Sequence, residues 1–316
     1  MASSSFSSLR SLLFSSPISP SPRFFPSRLD FSRSLSFGFE SAAVSSIGGG
    51  SFRNLVVSRR KALEATSMAA DKRRVEVFDG EEDLAVALAK YTADLSDKFC
   101  KERGAFTVVL SGGSLIKSLR KLAEPPYVDS IDWSKWHIFW VDERVVPKHH
   151  VDSNYKLAYD GLLCKVPIPD GNVYAINDAL NAEGAAEDYE TCIKQLVKNN
   201  IILTSQSSGF PKFDLMLLGM GPDGHLASLF PGHHLCNENK KWVTCITDSP
   251  KPPPERITLS FPVINSAGYN AMVVCGSGKA ESVEKSLKST GNLPAGSLAA
   301  EDELVWFLDK AAASKL

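Results

Sequence analysis

The chain has 316 residues, 43% of them hydrophobic, and a formal net charge of −1 at pH 7. That is enough apolar side chain for the core of one large domain or two small ones, and the absence of any apolar run of about 20 residues excludes a membrane-spanning protein. Residues 1–65 carry seven arginines and Lys61 against Asp30, Glu40 and Glu64, a net +5, which leaves −6 for the remainder; an acidic body has no general attraction for nucleic acid.

The first 65 residues are rich in Ser, poor in acids and without a sustained apolar stretch. This is the composition of an organelle transit peptide rather than a secretory signal. The opening Met1-Ala2-Ser3-Ser4-Ser5, with no Lys before Lys61, resembles plastid transit peptides. Residues 1–65 are therefore expected to be a disordered plastid transit peptide, the alternative being a disordered regulatory tail. Residues 66–316 remain as a single folded domain.

From about Arg74 strands and helices alternate. Val75–Phe78 reads as a strand, and Asp79 with Glu82 as a helix-capping arrangement. Leu84, Leu88, Tyr91, Leu95 and Phe99 share one face of the helix that follows, Gly104 ends it, and Ala105–Leu110 is a second strand. Further strands are expected over Trp136–Val141, Phe213–Leu218, Tyr269–Cys275 and Leu304–Leu308, with helices over Leu115–Lys121, Asp152–Leu163 and Ala179–Lys198. Residues 199–211 and the run Ser249-Pro250-Lys251-Pro252-Pro253-Pro254 read as loops. The pattern implies an α/β fold with a mostly parallel sheet. No exposed heptad or apolar helix stripe points to an oligomer, so a monomer is expected.

Six cysteines form no Cys-x-x-Cys pair, which argues against a disulfide framework or a zinc site. Most are expected as buried free thiols, with Cys275 near a strand end. His149-His150 and His233-His234 lack metal-ligand spacing and read as solvent-facing loop residues. The chain closes with Ser314-Lys315-Leu316, the peroxisomal import tripeptide, with Ala311-Ala312-Ala313 as a flexible lead. A peroxisomal import receptor is thus an expected partner beside plastid targeting.

The strand ends carry polar chemistry that a core alone does not require. Leu215–Leu218 stops at Gly219-Met220-Gly221-Pro222-Asp223-Gly224-His225, placing an Asp and a His two residues apart at the carboxyl end of a buried strand, where ligands of open α/β sheets bind. An imidazole there can act as a base near neutral pH, with the carboxylate orienting it. Ser111-Gly112-Gly113-Ser114 follows the second strand and offers backbone N–H groups to an anion. Asp142-Glu143-Arg144, taken alone, reads as a solvated salt-bridge cluster. Gly276-Ser277-Gly278-Lys279 is a glycine turn with a cation but lacks Walker spacing, and Arg256 stands just beyond the proline run. Together they suit acid–base chemistry on a phosphorylated small molecule.

The run Gly219–Gly232, Gly-Met-Gly-Pro-Asp-Gly-His-Leu-Ala-Ser-Leu-Phe-Pro-Gly, resembles the signature of the 6-phosphogluconolactonases, members of a family shared with glucosamine-6-phosphate isomerases. Ser111–Ser114, Val141-Asp142-Glu143-Arg144-Val145-Val146-Pro147 and Asp152-Ser153-Asn154-Tyr155 are similar to its other blocks, in the same order, and the likeness spans about residues 74–310. It implies a Rossmann-like three-layer fold, shared with deaminases and ribose-5-phosphate isomerases. The implied reaction is hydrolysis of 6-phospho-D-glucono-1,5-lactone in the oxidative pentose phosphate pathway without metal or organic cofactor. With the transit peptide, the chloroplast stroma is the expected location, and the peroxisome a second one. By position, His225 would activate water and Asp223 would orient it. Arg256, Lys279 and the amides of the Ser111–Ser114 turn at Gly112, Gly113 and Ser114 would hold the phosphate. Asp142 and Arg144 would line the sugar ring, Arg144 also supporting the tetrahedral intermediate. Two departures, Leu115-Ile116 after the glycine turn and Leu226 after the histidine, bear on substrate fit. The competing readings are a glucosamine-6-phosphate deaminase-like isomerase, disfavoured because Phe230 stands where that enzyme carries a ring-opening carboxylate, and a catalytically silent regulatory member.

Overall fold

The computed structural model describes residues 73–316; the transit peptide expected over 1–65 lies outside them. In chain order the elements are β1 (Arg73–Phe78), α1 (Glu81–Arg103), β2 (Phe106–Leu110), α2 (Ser114–Ser118), α3 (Tyr127–Ser130), β3 (Trp136–Trp140), β4 (Asp142–Arg144), α4 (Asn154–Gly161) and α5 (Ala182–Lys198). They continue with β5 (Leu203–Thr204), β6 (Pro211–Lys212), β7 (Leu215–Gly219), β8 (Val243–Ile246), β9 (Arg256–Leu259), α6 (Phe261–Asn265), β10 (Tyr269–Val274), α7 (Ala280–Leu287) and β11 (Glu303–Asp309).

Six strands form one sheet in the order β1-β11-β10-β7-β2-β3, and every pair in it is parallel. Successive side chains of a strand point to opposite faces, so Val108 and Leu110 enter one core with α1 while Val109 enters the other with α5. Burial on both faces explains why these strands read as continuous apolar runs rather than alternating ones. The result is the three-layer, Rossmann-like α/β fold expected from the sequence. β4 leaves the main sheet directly after β3 and joins β9 and β8 in a small antiparallel sheet. Among the described residues no helix is long and apolar enough to cross a membrane.

Several local expectations are corrected. Asp79 does not cap α1: extended Gly80 holds that position with no side-chain bond, and Asp79 pairs with Lys310 at 2.7 Å. The helix expected over 115–121 breaks after Ser118 into a 3-10 turn over Arg120–Ala123. The next two begin later than expected because better caps lie inside the predicted spans: Ser153 Oγ accepts from Lys156 N at 3.1 Å and Asn181 Oδ1 from Gly184 N at 2.9 Å. The supposed loop 199–211 contains the β5–β6 hairpin. All six cysteines are free, but none is fully buried and Cys164 is exposed. His149 and His150 are exposed as expected, whereas His233 is half-buried, accepting from Leu235 N and facing Asp248. Gly104 does end α1, in the left-handed region at φ 72°.

One buried ion pair locks the sheet's centre. Asp214, only 2% exposed, accepts from Thr107 N at 2.7 Å and Thr107 Oγ1 at 2.8 Å. Arg103 donates to the same carboxylate and to Ile201 O at 2.9 Å. The last residue of α1, the start of β2 and the entrance to β7 are thereby tied at one point. Removing one partner of such a pair costs about 3–5 kcal/mol. Asp214→Asn is therefore expected to lower Tm by roughly 10 °C at 2–4 °C per kcal/mol, measured by calorimetry, while activity in the still-folded protein at low temperature is retained.

Candidate active site

Because the central strands are parallel, β2, β3, β7 and β10 release their chains at the same edge of the sheet. A cavity of about 220 Å³ lies above that edge. Of the ten residues proposed from sequence, Ser111, Gly112, Gly113, Ser114, Asp142, Arg144, His225, Arg256 and Lys279 line it. The tenth, Asp223, stands behind His225 as its hydrogen-bond partner. A larger cleft of about 590 Å³, lined by Tyr155, Tyr159 and Tyr174 among others, has no glycine turn in its wall.

The turn after β7 is shaped around the histidine. Gly221 N donates to His225 O at 3.0 Å and Gly224 N to Gly221 O at 2.9 Å, closing a tight loop that needs φ +78° at Gly224. A Cβ on Gly221 would stand 2.0 Å from His225 Cε1 and 2.7 Å from Asp223 Oδ1, so only glycine admits this arrangement. His225 Nδ1 lies 2.5 Å from Asp223 Oδ1. A carboxylate that close requires the proton on Nδ1, which leaves Nε2 as the basic nitrogen. The ring packs against Phe230 with centroids 4.7 Å apart. Burial lowers the proton affinity of His225, against the opposing pull of Asp223. Burial would raise Asp223, but its bonds to His225 and Lys251 prevail and hold it at about 2. The pair at neutral pH is thus a carboxylate and a neutral imidazole.

The glycine turn, Arg256 and Lys279 face the same space as the histidine. A Cβ on Gly112 would fall 1.8 Å from Asn154 Oδ1. Asn154 Nδ2 in turn donates to Asp142 O at 3.0 Å, so the turn after β2 is clamped against the turn after β3. Burial lowers the pKa of both Lys279 and Arg256, with Arg144 adding to the effect on Arg256. Neither has a carboxylate at ion-pair distance among the described residues. Arg256 spends Nε on Pro253 O and Nη2 on Lys251 O and Pro252 O. Its guanidinium lies 5.7 Å from the centroid of Phe230. Two buried polar atoms of the cavity wall, Ser111 Oγ and Arg144 Nε, lack a protein partner.

The Asp142-Glu143-Arg144 segment is not the solvated salt-bridge cluster it resembles. Asp142 is buried and accepts from Ser228 Oγ at 2.8 Å. Glu143 is 2% exposed and accepts from the N–H groups of Arg144, Asn154 and Tyr155 at 2.7–2.8 Å, and from Ser153 Oγ. Burial, against those bonds, pushes it to about 7. Arg144 instead donates through Nη1 to Asp152 O at 2.8 Å. Sequence reasoning missed Glu143 as the residue seating the start of α4, and missed Asn154, Ser228 and Lys251. Lys251 Nζ lies 3.0 Å from Asp223 Oδ1. Glu143, Asn154 and Ser228 each had a signal, their places in blocks of the family likeness; Lys251 lay outside all of them.

A profile described as glucosamine-6-phosphate isomerases/6-phosphogluconolactonase matches residues 79–306. The chain is 68% identical, over 326 aligned positions covering all of both proteins, to the chloroplastic 6-phosphogluconolactonase 3 of Arabidopsis thaliana. It is 72% identical over 247 positions to a probable chloroplastic 6-phosphogluconolactonase 4 of Oryza sativa subsp. japonica, covering 77% of this chain and 76% of that one. Among solved structures, the 6-phosphogluconolactonase of Thermotoga maritima superimposes with a TM-score of 0.65 at 30% identity, over 76% of this chain and all of its own. That of Trypanosoma brucei gives 0.67 at 26%, over 78% of this chain and 99% of its own. The chain belongs to the glucosamine-6-phosphate isomerase/6-phosphogluconolactonase family.

Proposed function

We propose that the chain hydrolyses 6-phospho-D-glucono-1,5-lactone to 6-phospho-D-gluconate, the reaction named for its close relatives. The observation that carries this reading is the pairing, across one small cavity, of a neutral imidazole oriented by a carboxylate with two desolvated cations and a glycine turn. His225 Nε2 takes a proton as water attacks the lactone carbonyl carbon. Arg144 supports the oxyanion. When the carbon–ring oxygen bond breaks, the imidazolium returns the proton to the ring oxygen, which becomes a hydroxyl. Asp223 keeps the ring in the required tautomer throughout. Lys279, the amides of Gly112, Gly113 and Ser114, and the Nη1 of Arg256 hold the phosphate, while Ser111 and Asp142 complete the wall around the sugar. The deaminase-like alternative needs a ring-opening carboxylate where this chain has Phe230, a buried ring packed on His225.

The same reading includes residues 1–65 as a plastid transit peptide and 66–316 as one catalytic domain acting as a monomer in the stroma. Ser314-Lys315-Leu316 is included as a peroxisomal signal. Its three residues are exposed, but the expected flexible lead is corrected: Ala312 is fully buried and its N–H bonds Asp309 Oδ1 at 2.7 Å. An import receptor would therefore have to accept the tripeptide within about three residues of an anchored backbone.

Turnover of freshly generated lactone, corrected for spontaneous hydrolysis, checks the reaction. His225→Ala is expected to lower kcat by about 10²–10⁴-fold with KM little changed; an undiminished kcat would remove His225 from the mechanism. Gly221→Ala should cost a similar factor without loss of fold by circular dichroism, since its Cβ displaces the imidazole. Because burial lowers the histidine below its ordinary 6.5 and Asp223 stays ionised, kcat/KM of the native protein should fall on the acid side with its half-maximal point below pH 6.5.

A further inference from the structure

The proline run between β8 and β9 is pinned rather than loose. Arg256 donates to the carbonyls of Lys251, Pro252 and Pro253, and Ser249 Oγ donates to Lys251 O at 2.9 Å. The backbone of Lys251 is thereby fixed, and its side chain runs back to the turn after β7. There Nζ lies 3.0 Å from Asp223 Oδ1 and 3.2 Å from His225 Nδ1. An ammonium has only donors, so Lys251 and the protonated Nδ1 share one carboxylate oxygen.

The arrangement answers a conflict built into the pair. A carboxylate that orients an imidazole also attracts a proton to it, which favours the imidazolium that cannot act as a base. A cation at the same oxygen cancels that field and keeps the oxygen in place. We propose that Lys251 is a positioning residue for His225, a third member of a Lys–Asp–His array that fixes Asp223 while offsetting its charge, so that the imidazole stays neutral and oriented. The charged groups that face His225 are Asp223 in its own turn, Lys251 on the proline segment and Asp142 on β4. Arg256 lies behind the Phe230 ring, and Arg144 and Lys279 line the same cavity. Of these, Lys251 is the cation whose approach to Nδ1 is a direct one. An exposed Lys–Asp pair by itself contributes almost nothing; here the shared oxygen gives it an effect on a third group.

This inference rests on His225 acting as the base of the proposed hydrolysis, and its test separates the two. Lys251→Met and Lys251→Arg are compared with the native protein by the pH profile of kcat/KM and, without substrate, by NMR titration of the His225 ring, assigned with His225→Ala. Lys251→Met is expected to move both the acidic limb and the ring titration up by roughly 0.5–1 pH unit, a reduced version of what a near charge achieves when fully buried. That is a loss of about three- to tenfold in kcat/KM on the acidic limb and none on the alkaline plateau. Lys251→Arg, which keeps the charge, should restore the native profile. An unmoved ring titration in folded Lys251→Met overturns the proposal, as does an equal loss at every pH. A moved ring titration in a protein whose native form lacks lactone turnover would keep the array and reject the function.

Discussion

Parallel strands discharge their chains at one edge of a sheet, and at this edge two positions have no room for a Cβ. Gly112 lies against Asn154 and Gly221 against His225 and Asp223, both at distances a side chain would violate. Those two close approaches shape the turns that carry much of the site. The first clamps the turn after β2 to the turn after β3, and the second folds the turn after β7 back on itself so that a His and an Asp two residues apart meet. The buried Asp214–Arg103 pair sets the spacing beneath them by tying β2 to β7. Rigid strands below and glycine turns above give a site held by backbone geometry, which needs little movement to be complete.

The electrostatics of the cavity are uneven by construction. Two of its cations, Arg256 and Lys279, are desolvated and among the described residues have no carboxylate at ion-pair distance, a state that a bound anion would relieve. On β4, Asp142 accepts from Ser228 and Glu143 from three backbone N–H groups, and neither is at ion-pair distance from those cations. The imidazole is buried enough to stay neutral yet held by a carboxylate that is itself balanced by Lys251. Cations and imidazole thus line one small space, an arrangement suited to a phosphorylated ester.

Much of this was legible in the sequence, for reasons that differ by residue. β2, β3, β7, β10 and β11 announce themselves because strands buried on both faces must be apolar throughout. The Asp223–His225 pair is visible because its partners are two residues apart and framed by glycines. Arg256 and Lys279 stood out only as members of a set of polar strand ends, and their phosphate-holding role came from the family likeness, since a single cation in a loop carries no sign of where it points. Glu143 was misread because adjacent opposite charges suggest an ion pair, whereas its partners are main-chain amides of the first turn of α4. Lys251 stayed hidden because 26 residues of chain, including β8, separate it from the histidine it approaches. The helix starts moved for a smaller reason, the presence of better caps a few residues inside the predicted spans.

The account stands or falls on one geometry, a phosphate on the glycine turn with the reacting carbon beneath His225. A crystal structure of the protein with 6-phosphogluconate measures it directly. The phosphate should sit on Lys279 and the amides of Gly112, Gly113 and Ser114, with the C1 carboxylate at about 3–3.5 Å from His225 Nε2. A product bound in the reverse sense, or lodged in the tyrosine-lined cleft away from the histidine, would contradict it.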